Sequence, residues 1–142
     1  MTALESLQAC LAAEHAALYG YGVLGGVLAG ITSATADQAL ADESYAVHER
    51  RRDDLETLIT AARAEPVAAQ PAYAIPFPVV ERADCRRLAA LMERRAAWVY
   101  ADAVALTVGG QRALAAGALT DCAVRLTSWG GRPTPLPGID GA

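Results

Sequence analysis

Leu11-Ala12-Ala13-Glu14-His15-Ala16-Ala17-Leu18 lies in the middle of the first helical stretch of this 142-residue chain, and its reading decides the fold. Working outward from it, Leu4, Leu7, Leu11, Leu18, Tyr21, Gly25 and Leu28 recur at three- and four-residue spacings, the period of one helix face. Glu14 takes the next place in that series. A carboxylate is thereby aimed at the most buried stripe of an apolar helix, where an unpaired charge is costly. Either a partner from another helix meets it, or it holds an ion.

Punctuation along the chain sets the remaining elements. Thr2-Ala3-Leu4-Glu5 is a capping box and opens a helix over residues 3–30; Thr35-Ala36-Asp37-Gln38 reads as a second box and opens one over 36–64. The short turn between them makes these two helices antiparallel neighbours. Residues 65–80 hold Pro66, Pro71, Pro76 and Pro78 and cannot continue a helix. Extended, such a segment spans about 50 Å, whereas a bundle helix of about 28 residues is about 42 Å long. It can therefore return along the whole assembly, leaving the third helix (81–108) parallel to the second. The fourth helix is expected over 111–129, after Gly109-Gly110, and residues 130–142 form a Gly/Pro-rich tail, an extended strap or a loose end. A Pro-x-x-Pro ligand role for that tail is the alternative. The expected fold is all-α: one domain over residues 1–129, two antiparallel hairpins joined by a long Pro-rich crossover in the manner of a ferritin-like four-helix bundle.

Composition narrows the function. The net charge of -4 comes from interspersed signs, and Glu49-Arg50-Arg51-Arg52-Asp53-Asp54 neutralises itself, so nucleic acid is not expected as a partner. Cys10, Cys85 and Cys122 share no ligand spacing and read as small buried hydrophobes of a reducing, cytoplasmic protein. No signal peptide is expected. Residues 16–36 carry no charge and space Gly22, Gly26 and Gly30 by four. That pattern fits a membrane helix with a small-residue contact face, but a bundle helix whose glycine ridge admits a neighbour is the reading preferred here. Nucleophilic catalysis and phosphate-loop chemistry find no motif.

Depth along the helices groups the polar residues. Glu14 and Glu93 each lie sixteen residues before a glycine (Gly30 and Gly109), about 24 Å down their helices, and His48 lies at a comparable depth. The pairs Glu14/Tyr21 and Glu93/Tyr100 share a spacing of seven, a faint internal repeat. Two readings follow. In the first, Glu14, Tyr21, Tyr45, His48, Arg51, Glu93 and Arg125 form a buried polar network that fixes helix register, with Glu14 on Arg51 or His48 and Glu93 on Arg125 or Tyr21. In the second, Glu14, His48 and Glu93 hold one divalent zinc, manganese or iron ion. A dinuclear carboxylate centre needs a Glu-x-x-His on each of two helices. Here Tyr45 stands where that Glu should be, and the repeat offset puts only Val124 and Thr127 on the fourth helix. Asp121 is its sole carboxylate.

Leu11 to Gly22, His48-Glu49-Arg50-Arg51-Arg52-Asp53, Pro76-Phe77-Pro78-Val79, Leu91-Met92-Glu93 and Arg125 to Trp129 together resemble the bacterial ferritin-like domain family of unknown function. The resemblance covers nearly all of the chain to Trp129. It implies a left-handed-twisted four-helix bundle, a soluble homodimer, and no assigned chemistry or cofactor. The expected function is thus a non-enzymatic bundle acting by self-association or protein binding, with a mononuclear metalloprotein or oxidase-like enzyme as the alternative.

Overall fold

The computed structural model describes residues 1–139. They form four helices, α1 (Ala3–Ala29), α2 (Thr35–Ala61), α3 (Arg82–Leu106) and α4 (Gly109–Ser128), with no strand among the described residues. α1 packs along both α2 and α3, and α3 packs along α4, while α2 and α4 approach each other closely at few points.

Local chemistry explains most helix ends. The Thr2 hydroxyl accepts from the Glu5 amide, and the Glu5 carboxylate accepts from the Thr2 amide, so α1 starts with the expected box. The second expected box does not form. α2 is capped by buried Ala34, and Thr35 is already its first helical residue. Asp37, in the first turn of α2, takes Arg82 Nε and Arg86 Nη1, each at 2.6 Å, tying the start of α2 to the start of α3. α3 ends sooner than the Gly pair suggests. Thr107 and Val108 turn extended, and α4 begins at Gly109, whose φ of 55° suits glycine.

Residues 62–81 carry neither helix nor strand. They run back past α1. The Gln8 amide donates to Glu65 O and accepts from Val67 N, His15 Nε2 donates to Val67 O at 2.9 Å, and Tyr73 lies against Tyr19. Phe77 then lies under the Arg87 guanidinium at the start of α3. From Tyr73 to Val80 exposure alternates, with Ile75, Phe77 and Val79 turned onto the helices, the two-residue period of an extended chain. His15 therefore fastens the connection. It does not join the polar layer beside it.

Two apolar clusters fill the interior. Leu7, Leu11, Leu55, Ile59, Tyr100, Ala103 and Ala115 belong to one, and Tyr21, Leu24, Leu28, Ala41, Leu88 and Trp129 to the other. Glu14, His48 and Glu93 are fully buried in the middle of their helices. Gly22 and Gly26 are exposed, with nothing within 4 Å of where a Cβ would stand, so no helix of this chain uses them as a ridge. No helix is long and apolar enough to cross a membrane among the described residues. The tail folds back as far as it is described, with Gly138 tight against the Ala97 carbonyl of α3. The remainder of the expected 130–142 segment, residues 140–142, lies outside the described residues.

A buried carboxylate and histidine layer as the candidate site

Each member of the layer comes from the inner stripe of its helix. α1 presents Glu14 and Tyr21, α2 presents Ser44, His48 and Arg51, α3 presents Glu93 and Tyr100, and α4 presents Cys122 and Arg125. His48 lies between the two acids. Its Nδ1 meets Glu14 Oε2 at 2.5 Å and its Nε2 meets Glu93 Oε1 at 3.1 Å. Burial alone would lower the imidazole pKa, but the carboxylates of Glu14 and then Glu93 outweigh it and raise His48 to about 9. At neutral pH the ring is thus an imidazolium that donates from both nitrogens.

The two acids are completed by tyrosines, and the repeat supplies the pattern. Tyr21 of α1 donates to Glu93 of α3 at 2.5 Å, while Tyr100 of α3 donates to Glu14 of α1. Each helix gives a phenol to the other's carboxylate. Burial first, and the facing acid second, push both phenol pKa values well above their usual range, so both stay protonated as donors. The Tyr21 ring also stacks on His48, with centroids 5.4 Å apart.

Arginines occupy the flank between α2 and α4. Arg51 pairs with Asp121 and donates to the Cys122 thiol at 3.3 Å. Arg125 donates to Asp121 at 2.8 Å, to Ser44 at 3.2 Å and to Glu43 at 3.2 Å. Burial pushes the Cys122 thiol well above its usual range, and the Glu93 carboxylate adds to it. This thiol is more than an apolar filler, since it accepts a charged hydrogen bond.

The structure brings Glu14, Tyr21, His48 and Glu93 into direct contact and sets Arg51 and Arg125 beside them on Asp121. Neither arginine bonds Glu14 or Glu93; of the expected alternatives, Glu14 takes His48 and Glu93 takes Tyr21. Tyr45 is corrected outright: it is 38% exposed and stands outside the layer. At about 100° per residue, Ser44 lies about 40° from His48 around α2, while Tyr45 lies about 60° away on the other side, which turns to solvent. Val124 and Thr127, the expected α4 positions, are exposed as well. The reason lies in where α3 ends and how soon α4 follows. α2 starts at Thr35 and α4 at Gly109, 74 positions apart, whereas the Glu–Tyr pairs repeat at 79. The earlier end of α3 and the shorter α3–α4 turn together move the α4 register, so Cys122 matches His48 and Arg125 matches Arg51. Tyr100, Ser44, Asp121 and Cys122 were the missed members, and the repeat already contained the signal for Tyr100.

Among the described residues no group of three or more His, Cys, Asp and Glu side chains is arranged to hold a metal ion. A two-metal carboxylate centre does not fit these donors. α2 offers no carboxylate in the layer, and α4 offers two guanidinium-bound positions whose positive charge opposes a cation. Glu93 Oε2 is the one buried oxygen of the layer with no hydrogen-bond partner.

The sequence pattern of a domain of unknown function, DUF4439, matches residues 6–141. A crystal structure of a conserved hypothetical protein from Mycobacterium tuberculosis is similar at 32% identity and a TM-score of 0.80, over 88% of this chain and 92% of that one. No curated protein matches. A match over nearly the whole length, with a solved relative of the same extent, places the chain in the DUF4439 family, a domain of unknown function.

Proposed function

We propose that this chain is a non-catalytic, ferritin-like four-helix bundle that acts by association, with a second copy or another protein, and whose polar layer serves to fix the register of the helices. The Pro-rich segment is its crossover, returning from the end of α2 to the start of α3. One observation carries the reading: both ring nitrogens of His48 are spent on Glu14 and Glu93, and each acid takes a tyrosine as well. A layer closed on itself in this way specifies which residues face each other across the helices. Function then falls to the outer surface. Gly22, Gly26 and Ala29, exposed together near the end of α1, are small enough for a second helix to approach closely.

Metal analysis of the purified chain after growth in iron-, zinc- and manganese-supplemented medium is expected to find well under one equivalent. Light scattering coupled to gel filtration is expected to give twice the chain mass. The second reading, one divalent ion held by Glu14, His48 and Glu93, is favoured by the unpaired Glu93 Oε2. It predicts about one equivalent, lost in His48→Ala, and such a result would displace the first reading.

A further inference from the structure

We propose that the slot between α1 and α3 binds a small monocarboxylate, its apolar tail beneath the roof formed by residues 73–76 and its carboxylate on Arg94 and Arg95. The slot has a volume of about 190 Å³ and is walled by Ala13, Ala16, Gly20, Leu91, Met92 and Val99, with no acidic side chain in its lining. A dry apolar cavity of about 150 Å³ suffices for a benzene-sized group, so this one takes a short alkyl or aryl tail. Gly20 is what lets Met92 lie across it: a Cβ there would fall 2.1 Å from the Met92 sulfur. The thioether forms a wall that adjusts to the shape of a guest.

The mouth of the slot supplies the charge. Pro76, Leu91 and Arg95 also line an adjoining groove of about 590 Å³ that contains Arg86, Arg87 and Arg94. Arg86 is taken by Asp37 and the Ser128 carbonyl, and Arg87 lies on the Phe77 ring. Arg94 and Arg95 are exposed and make no hydrogen bond or ion pair among the described residues. From Cys85 to Ala101 the only acid is Glu93, which is buried, so this face is positive on a chain of net charge -4. Two guanidinium forks beside an apolar slot match a carboxylate carried on a hydrophobic tail. The apolar walls are recessed beneath Tyr19 and Tyr73, which suits a single free tail and not the surface of a bilayer. The inference is independent of the polar layer.

Titration calorimetry with sodium octanoate tests it, with acetate and 1-octanol as the probes lacking tail and charge. Saturable binding of one octanoate per chain is expected, at least tenfold tighter than acetate or octanol. Arg94→Ala/Arg95→Ala, on exposed positions, should keep the melting temperature and weaken octanoate at least tenfold, and Ala16→Phe should fill the slot and abolish binding. The proposal is overturned if octanoate gives no saturable heat, if octanol binds as tightly as octanoate, or if the double arginine variant binds unchanged. Sedimentation with anionic phospholipid vesicles, without binding of free octanoate, would overturn it in favour of a membrane surface.

Discussion

The flank between α1 and α3 and the flank between α2 and α4 join similar helices by opposite means. Across α1 and α3 the backbones lie close, and the contact is a reciprocal exchange of tyrosines and glutamates with His48 inserted between the acids. Across α2 and α4 the backbones stand apart: Arg51 of α2 reaches over to Asp121, and Arg125 of α4, itself bound to Asp121, reaches back to Ser44 and Glu43. The first contact is fully desolvated, so a group that loses its partner there has no water to turn to. The second is partly wet, since the Asp121 side chain is 35% exposed, and water can replace what a mutation removes. Equal numbers of hydrogen bonds therefore carry unequal weight.

The largest effect should come from Glu14→Leu. It leaves the His48 cation and the Tyr100 hydroxyl without their acceptor, and urea denaturation should show a loss of about 3–5 kcal/mol. Glu14→Gln keeps an acceptor and should cost only about 1 kcal/mol. Next is pH. The folded pKa of His48, about 9, lies above the ordinary value of 6.5. Its stabilisation is thus complete below about pH 6.5 and is lost as pH rises through 9, by on the order of 3 kcal/mol. Stability measured from pH 6 to 10 should fall over that window, and His48→Asn should flatten the curve.

Smaller and more diagnostic are the tyrosines. Tyr21→Phe and Tyr100→Phe should each cost about 2 kcal/mol, Tyr100→Phe the more, because it leaves Glu14 Oε1 without a donor whereas His48 still holds Glu93 Oε1. Equal costs would show that Glu93 depends on Tyr21 as fully as Glu14 depends on Tyr100. Asp121→Ala should cost about 1 kcal/mol or less in the same assay. If it matched Glu14→Leu, the contrast between the dry and the wet flank would fail.

The amino-acid pattern carried the depth of the layer well, because Glu14, His48 and Glu93 each fall on an inward stripe at a countable distance from a helix end. It carried azimuth poorly. Tyr45 and Ser44 are neighbours in sequence and nearly equally inclined to His48, and only the packing of α4 decides which of them is covered. The α4 positions are displaced because α3 ends two residues sooner after its Glu than α1 does and Thr107 and Val108 then do what five residues do between α1 and α2; no spacing within a helix records where the helix before it ends. Thr35-Ala36-Asp37-Gln38 has a good capping-box pattern, yet Ala34 takes the cap position and the box does not form. Asp37 within it is held by Arg82 and Arg86, 45 and 49 positions away.

The way the connection is fastened has a consequence for how this chain could be divided. Residues 68–72 are exposed, and the chain on either side is pinned, by Gln8 and His15 before it and by Tyr19 and the Arg87–Phe77 contact after it. A nick there cuts no helix. It yields two helical hairpins that each hold half of the Tyr–Glu exchange: the first keeps His48 on Glu14 but loses the Tyr100 donor, and the second leaves Glu93 with neither Tyr21 nor His48. Produced as separate polypeptides, such halves are expected to complement one another, each serving as the template on which the other folds.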